Sequence, residues 1–159
     1  MGDTGHDGEI EFQWRASIAT KPKMNRKIVD CAQLPALNST YSQAIHANGF
    51  VFISGQIGID PSTGKLISDD IGEQTRQTLD NISTILKAAG TSLSRIVSVS
   101  LYLTEFDQLS RVNAVYTDYF GKEGPTKFSC GVSQLYTGAK IEIVVNEYHA
   151  CSGSAVKCL

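Results

Sequence analysis

Two strand-like segments carry polar side chains that could support acid–base or anion-binding chemistry. Glu142 stands between Ile141 and Ile143, so its side chain points away from the face that the two isoleucines bury and could reach a cleft at a sheet edge. Ser54 precedes Gly55, where the missing side chain lets a ligand approach the backbone, and the Ser54 hydroxyl can bind a carboxylate or a water molecule. On the pattern alone, Glu142 is a solvated strand residue and the Ser-Gly pair is a turn.

The cysteines and histidines argue against metal binding and nucleophilic catalysis. The four cysteines lack CxxC spacing, and the three histidines do not cluster with them. Cys130 has no histidine at a defined spacing to act as its base, so it is predicted to be a structural thiol. We therefore expect reduced cysteines, no metal site, and no catalytic role for His46 or His149.

Composition and charge narrow the class of protein. The 159 residues are 42% hydrophobic and 19% charged, which supplies one apolar core and too little charge to keep the chain disordered. A net charge of -2 without a basic run argues against a nucleic-acid partner. No apolar stretch is long enough for a membrane helix, so the sequence predicts a cytoplasmic protein. The mitochondrion is the alternative, although the acidic residues of the N-terminal segment argue against a transit peptide.

Periodicity and turn signals predict the elements that must position these residues. Asn48-Gly49 between two alternating segments predicts a type I′ hairpin. Asp69-Asp70 open a helical apolar stripe, and Asp107 can cap a second helix. The predicted order is strands 42–46 and 50–54, helix 69–89, strand 96–104, a helix from 107 to about 121, a shorter strand around 128–132, and strand 141–145. This order predicts an α+β sheet with two helices on one face.

The pattern divides the chain into one domain with two tails. Residues 1–23 are predicted to be a flexible N-terminal arm, residues 24–150 the domain, and residues 151–159 a C-terminal tail. Whether Met24 is an alternative start is left open. Apolar residues occur on both faces of strands 96–104 and 141–145, so sheet faces are expected to meet between the subunits of a homo-oligomer.

Several motifs in a fixed order give the chain a family resemblance. They are Tyr41-Ser42-Gln43-Ala44, Ile53-Ser54-Gly55-Gln56, Val112-Asn113 with Tyr116, Gly124-Pro125-Thr126, and Ile141-Glu142-Ile143. Over residues 26–150 the chain resembles the RidA/YjgF family of reactive-intermediate deaminases, also labelled endoribonuclease L-PSP. The resemblance implies a chorismate-mutase-like α+β fold and a homotrimer around a sheet-lined barrel, with a small-molecule site in each cleft between subunits.

The reaction implied by the resemblance is hydrolysis of short-lived enamines and imines, of the 2-aminoacrylate type, to 2-oxo acids and ammonia, without a cofactor. It requires a cation for the substrate carboxylate, a polar group that positions water, and walls for the small side chain. By resemblance, Glu142 places or activates the water, and Ser54 with Gly55 binds the substrate. Tyr41 matches a wall residue with a hydroxyl and Asn113 an amide in the same cleft; for both, a structural role is equally open.

One position departs from the family pattern. Deaminase members carry arginine two residues after the proline of the Gly-Pro-Thr motif, where its planar fork grips the carboxylate, and this chain carries Lys127. Losing one charge-assisted hydrogen bond costs about 1.5–3 kcal/mol. For an unchanged substrate this corresponds to a roughly ten- to hundredfold weaker reaction. The resemblance therefore implies a hydrolase with Glu142 and Lys127 as its catalytic residues, and Lys127 implies that its activity is weakened or its specificity altered.

Two other functions stay open on the sequence. A non-catalytic trimer that binds a small anionic metabolite or a protein partner is favoured by Lys127 and by the unusual tails. An endoribonuclease is disfavoured by the acidic net charge and by the lack of a histidine pair for general acid–base work. The joint presence of Glu142, Ser54 and Asn113 favours the hydrolase.

Overall fold

A computed structural model describes residues 26–35 and 40–149; the predicted arm, Met24 and the predicted tail lie outside these residues. Ten helices and strands follow one another along the described chain: β1 (Arg26–Val29), β2 (Ala44–Ala47), β3 (Phe50–Gln56), β4 (Ile59–Asp60), β5 (Lys65–Leu66), α1 (Ile71–Ala88), β6 (Ile96–Leu103), α2 (Leu109–Phe120), β7 (Thr126–Gly131) and β8 (Ile141–Tyr148). Short 3-10 turns lie at Leu93–Arg95, Phe106–Gln108 and Tyr136–Gly138.

Six of the strands form one mixed sheet in the order β1-β2-β3-β8-β6-β7. β6 and β7 run parallel, and the other neighbouring pairs are antiparallel. β7 is therefore an edge strand that α2 joins to β6, whereas β8 lies between β3 and β6 in the middle of the sheet. β4 and β5 pair separately as a small hairpin. The predicted α+β class is confirmed.

Local signals place the first hairpin and the first helix as predicted. Asn48 and Gly49 have φ values of 49° and 81°, the positive angles that a type I′ turn between β2 and β3 requires. Asp70 caps α1, because its Oδ1 accepts hydrogen bonds from the backbone N–H groups of Gly72 (2.9 Å) and Glu73 (3.0 Å). The turn residues and the cap residue thus mark these two elements locally in the sequence.

The second helix begins differently, and the prediction that Asp107 caps it is wrong. Asp107 lies inside the 3-10 turn Phe106–Gln108, and α2 begins at Leu109 with no side-chain cap. The backbone N–H of Gln108 donates to the carbonyl oxygen of Glu105 (3.0 Å). The helix therefore starts from the backbone hydrogen bonds of a tight turn, which sequence signals for side-chain caps do not detect.

One face of the sheet is covered by both helices. The residues that alternate inward along β6 and β8 are at most 1% exposed, apart from Ile96 at the start of β6: Val99, Leu101, Leu103, Ile141, Ile143 and Val145. The buried stripe of α1, which includes Ile82 and Ile85, packs with them in one hydrophobic core, together with Val112 and Tyr116 of α2. None of the described helices is long and apolar enough to cross a membrane.

The other face of the sheet is open in the single chain. Large apolar side chains exposed on it come from β1, β3, β7 and β8, and they are Ile28, Phe50, Phe52, Phe128 and Tyr148. Polar residues, among them Ser100 of β6 and Glu142 of β8, alternate outward between the buried positions. The expected apolar character of both faces of strands 96–104 and 141–145 is thus only partly present, because the exposed aromatic side chains lie mostly on other strands.

Candidate active site

The candidate residues named from the sequence lie in two separate groups. The first lies where β3 meets β8, and we call it the Glu142 group: Tyr41, Ser54, Gly55, Gln56 and Glu142. The second lies where β7 meets α2, and we call it the Lys127 group: Asn113, Tyr116 and Lys127. Gln56 and Tyr116 are additions from the structure, since the sequence placed both in motifs but gave neither a role.

A β-bulge in β3 shapes the Glu142 group. Between the pairs Ile53–Val145 and Gln56–Ile143, β3 contains one residue more than β8. The surplus lies in the Ser-Gly pair of the motif. A bulge breaks the alternation of a strand and turns its side chains and carbonyls to new directions, and glycine inside a strand is a common sign of one.

The carboxylate of Glu142 extends over Gly55. A Cβ atom built on Gly55 would lie 1.7 Å from Glu142 Oε1 and 2.7 Å from its Cδ, closer than real contacts allow. The missing side chain of Gly55 is therefore the space that the carboxylate occupies. This position partly removes the carboxylate from water, and the burial raises the pKa of Glu142 above its usual value. A raised pKa makes the ionised carboxylate a stronger proton acceptor.

Glu142 also borders an open groove. The loop over residues 134–138 forms the other wall, and the groove has a volume of about 700 Å³. Tyr136 in this loop is 65% exposed, and its neighbour Thr137 has a φ of 55°, which is rare for a β-branched residue. The groove gives a small molecule access to the carboxylate from solvent.

Tyr41 is hydrogen-bonded to the backbone of the bulge. Its hydroxyl donates to the carbonyl oxygen of Gly55 (2.5 Å) and accepts from Nε2 of Gln56 (3.1 Å). The Gln56 amide also lies 3.0 Å from the carbonyl oxygen of Ser54. Burial raises the pKa of Tyr41, so its phenol keeps its proton. Tyr41 and Gln56 therefore brace the bulge against which Glu142 lies.

Ser54 is also engaged with the backbone. Its hydroxyl donates to the carbonyl oxygen of Ser42 (2.8 Å), and its backbone N–H donates to the carbonyl oxygen of Gln43 (3.1 Å). A hydroxyl that has given its proton to a carbonyl still offers lone pairs. In this arrangement Ser54 meets a ligand as a hydrogen-bond acceptor.

Lys127 is held at the sheet edge by neutral partners. It pairs with the buried Val99 of β6, so it lies on the helix-covered side of the sheet. Its Nζ donates to Oδ1 of Asn113 (2.7 Å) and lies 4.5 Å from the centre of the Tyr116 ring. In the described part of the chain, no carboxylate forms an ion pair with Lys127. Its positive charge is therefore oriented without being neutralised.

The two groups lie on opposite sides of the sheet in one chain. Glu142 alternates with the buried Ile141 and Ile143, so it lies on the open face. Lys127 lies on the helix-covered side, beyond β6 on the edge strand. A single chain therefore does not bring this carboxylate and this ammonium into one cleft.

Of the remaining candidates, Cys130 of β7 lies in register with Glu142 across Tyr102 of β6, whereas the two histidines lie apart from both groups. The Sγ of Cys130 lies 3.4 Å from the carbonyl oxygen of Gly131. His46 and His149 meet edge to face, with ring centres 5.1 Å apart, at the far end of β8 from Glu142. Within residues 26–35 and 40–149, no three His, Cys, Asp or Glu side chains are grouped so as to hold a metal ion.

The chain matches known proteins over nearly all of its described length. A family model described as Endoribonuclease L-PSP matches residues 31–147. A RutC family protein from Pyrococcus horikoshii is 42% identical over 77% of this chain and 98% of its own length. The 2-iminobutanoate/2-iminopropanoate deaminases of Bos taurus and Homo sapiens are 38% and 36% identical, each over 74% of this chain and 86% of their own length.

Solved structures agree with these matches. A Rid family protein from Yersinia pestis has a TM-score of 0.75 and 40% identity over 77% of this chain and 98% of its own. Escherichia coli TdcF, solved with bound serine, has a TM-score of 0.73 and 29% identity over 78% of this chain and 99% of its own. The resemblance read from the motifs is confirmed: this chain belongs to the RidA/YjgF family, whose family model carries the description Endoribonuclease L-PSP.

Proposed function

We propose that this protein hydrolyses reactive imines and enamines of the 2-aminoacrylate type to 2-oxo acids and ammonia. The observation that carries the proposal is the Glu142 carboxylate, held over Gly55 beside an open groove with its pKa raised by burial. Relatives named as 2-iminobutanoate/2-iminopropanoate deaminases support the same reaction class. No step of the proposed reaction requires a cofactor.

Glu142 acts as the general base in this proposal. It accepts a proton from water while the water oxygen bonds to C2 of the imine, so C2 becomes tetrahedral with one hydroxyl and one amino group. The imine reacts in its protonated form, so this addition leaves a neutral amino group. Glu142 then gives its proton to the nitrogen, the C–N bond breaks as ammonia leaves, and the hydroxyl becomes the carbonyl of the 2-oxo acid by giving its proton to water. An enamine enters the same path after protonation at C3 has converted it to the imine.

Lys127 supplies the positive charge for the substrate carboxylate. Its ammonium is exposed and oriented by Asn113 and Tyr116, neither of which cancels its charge. A relative of known structure, E. coli TdcF, binds serine, a small molecule that also carries a carboxylate. We infer that the ligand of this chain is likewise a small carboxylate.

The site is completed between two copies of the chain in a homotrimer. Glu142 and Lys127 lie on opposite sides of the sheet, so a substrate that touches both must lie between subunits. The exposed apolar side chains of the open face supply a surface for assembly; Phe52 and Phe128 are 46% and 57% exposed in the single chain. In this arrangement one subunit contributes the Glu142 group and its neighbour contributes the Lys127 group.

A second candidate function is binding of a small anionic metabolite without turnover. Lysine in place of the family's arginine favours it, because an ammonium cannot bind a carboxylate through two parallel N–H groups. A ligand held by one charge-assisted hydrogen bond has more freedom relative to Glu142, and catalysis depends on that orientation.

Ribonuclease activity, which the description of the family model names, is not expected of this chain. General acid–base cleavage of RNA needs two proton-transfer groups at one site. His46 and His149 do form such a pair, with ring centres 5.1 Å apart, so the expected lack of a histidine pair is wrong. The net charge of -2, without a basic run to bind RNA, still disfavours this activity. Labelled RNA incubated with the protein at low salt should stay intact; its cleavage would reinstate this activity.

Release of 2-oxo acid from imines generated in place by an amino-acid oxidase tests the proposed function. The wild type should accelerate release above the spontaneous rate, and Glu142→Gln should not. Glu73→Gln, on an exposed position of α1, is the matched control and should behave as wild type. An inert wild type whose Lys127→Arg variant is active would favour anion binding. An active Glu142→Gln variant would remove the proposed base.

A further inference from the structure

The contacts of the Lys127 ammonium differ in kind from those of the ion-paired cations in the described chain. Arg76, Arg95, Arg111 and Lys140 each face at least one carboxylate. Lys127 instead contacts an amide oxygen of Asn113 and the face of an aromatic ring. Both partners attract a cation electrostatically, and neither carries a charge. A carboxylate partner would compete with an anionic ligand, whereas these two leave the charge available.

We propose that Tyr116 is a positioning residue, whose ring face holds the Lys127 ammonium so that it presents a single free N–H direction to the substrate carboxylate. The effect on KM that this proposal predicts rests on the proposed function. The position of the Lys127 ammonium over the Tyr116 ring does not. The proposal assigns Tyr116 no direct contact with the substrate.

The ring of Tyr116 is fixed firmly enough to serve this purpose. Tyr116 is 7% exposed, belongs to the hydrophobic core and packs against Phe120, with ring centres 4.4 Å apart and the rings tilted by 36°. A side chain at Gly124 would lie 3.5 Å from its Cε1, so the chain before β7 also closes over the ring. Asn113 and Tyr116 are three residues apart on α2 and therefore share one face of the helix. The helix presents the amide and the ring together.

The hydroxyl of Tyr116 has no part in this arrangement. It is buried and makes no hydrogen bond within the described residues. Burial raises the pKa of Tyr116, so the ring remains a neutral phenol. A buried hydroxyl without a partner costs stability. The benefit of an aromatic residue at this position must therefore come from the ring face, which phenylalanine also offers.

The geometry indicates how Lys127 can bind the substrate carboxylate at the position where the resemblance implies an arginine. An ammonium has three N–H donors. One is directed to Asn113 and one side of the ammonium rests on the ring, which leaves one direction for an incoming oxygen. The substrate class is then a small carboxylate bound through one oxygen. Its affinity depends on how well Tyr116 and Asn113 fix the ammonium.

Nuclear magnetic resonance tests the positioning without any turnover. In protein labelled with ¹³C at lysine Cε, the Lys127 Hε signals should be shifted upfield from those of other lysines, because Cε is bonded to the Nζ that lies over the Tyr116 ring. Their absence from the spectrum of Lys127→Arg identifies them. Tyr116→Phe should keep the shift, and Tyr116→Leu should remove it. A Lys127 signal at the position of exposed lysines in the wild type overturns the proposal, even where Tyr116→Leu does not fold.

Kinetics on the same variants gives the second readout. Tyr116→Leu should raise KM for the imine by about two- to fivefold, the fold-change expected for an exposed cation–π contact, and leave kcat near that of wild type. Tyr116→Phe should restore wild-type KM. An equal rise of KM in both variants would mean that the hydroxyl matters and would overturn the proposal. A wild type without imine turnover would refute the proposed function alone, and the resonance shift would still decide the role of Tyr116.

Discussion

The Glu142 group and the Lys127 group are held in place by different parts of the structure. In the Glu142 group the carboxylate lies on a bulge in the middle of the sheet, and hydrogen bonds to carbonyl oxygens fix the side chains of Tyr41 and Ser54. In the Lys127 group an exposed side chain on an edge strand is held by two neutral side chains of one helix. The proposed base thus depends on the backbone of the fold, whereas the proposed carboxylate anchor depends on side chains alone.

This difference predicts which of the two groups tolerates substitution. A new residue at Gly55 must displace Glu142, because no space is left above the glycine. A new residue at 127 changes an exposed side chain on the edge strand, whose contacts are with the side chains of Asn113 and Tyr116. We therefore expect substitutions in the Glu142 group to abolish turnover and substitutions in the Lys127 group to tune it.

The largest effect is expected from Glu142→Gln. The amide cannot accept the proton of the attacking water, so kcat should fall by about 10²- to 10⁴-fold, the usual contribution of a general base. Circular dichroism should show an unchanged fold. An activity within tenfold of wild type would contradict the role of Glu142, and Glu73→Gln is the control for loss of an exposed carboxylate.

Gly55→Ala tests whether the bulge positions the base. The added methyl group must push the carboxylate aside, and displacement of a catalytic group by about 1 Å can cost roughly 10²-fold in rate. Because the displaced atoms are the end of a flexible side chain, the melting temperature should change little. Gly131→Ala is the matched control, since its new methyl group would meet Phe106 at an ordinary 3.5 Å. Equal kinetics in the two variants would show that Gly55 has no positioning role.

Lys127→Arg tests whether substitution in the Lys127 group tunes turnover. Restoring the planar fork should raise kcat/KM for imino acids about tenfold, which corresponds to one added charge-assisted hydrogen bond. Lys127→Met keeps the length of the side chain without the charge and should lower kcat/KM. If both variants match the wild type, Lys127 does not bind the carboxylate.

The pH dependence of activity should reflect the burial of Glu142. A general base works when ionised, so kcat/KM should fall as pH drops through the raised pKa of Glu142, at a value above the usual 4.5. In Gly55→Ala the carboxylate is pushed toward water, and the midpoint should move down toward 4.5. An identical midpoint in both proteins would contradict burial as the cause.

The smallest effect concerns stability. Because the folded-state pKa of Glu142 is raised above its unfolded value, ionisation of Glu142 opposes folding. The wild type should therefore lose free energy of unfolding relative to Glu142→Gln as pH rises through the folded pKa. Below the unfolded pKa this electrostatic difference should vanish. Urea unfolding of both proteins across this range measures it, and a wild type that gains stability on ionisation would show that a partner in the folded state favours the charged carboxylate.

Local signals in the sequence predicted much of the scaffold. The Asn48-Gly49 turn and the Asp70 cap determine their elements through neighbouring residues, and both are confirmed. The start of α2 was mispredicted because a 3-10 turn replaced the expected Asp107 cap. A turn that is closed by backbone hydrogen bonds does not need a capping residue, so the sequence contains no residue type that marks it.

The arrangement of the site was less accessible to prediction. The residue types were identified, but the face on which each lies depends on strand register, and a shift of one residue reverses it. The predicted strand around 128–132 left Lys127 outside, whereas β7 includes it and places it on the helix side. The contact between Gly55 and Glu142 depends on a bulge between two strands far apart in sequence, which periodicity does not reveal.

Subunit complementation tests most directly the claim that each site combines the Glu142 group of one chain with the Lys127 group of another. Glu142→Gln and Lys127→Met are each expected to be impaired alone. When the two are mixed, dissociated and reassembled, random assortment should restore about a quarter of the sites with both residues intact, and imine hydrolysis should return to a corresponding level. Activity of the reassembled mixture no higher than the mean of the separate variants would contradict the claim.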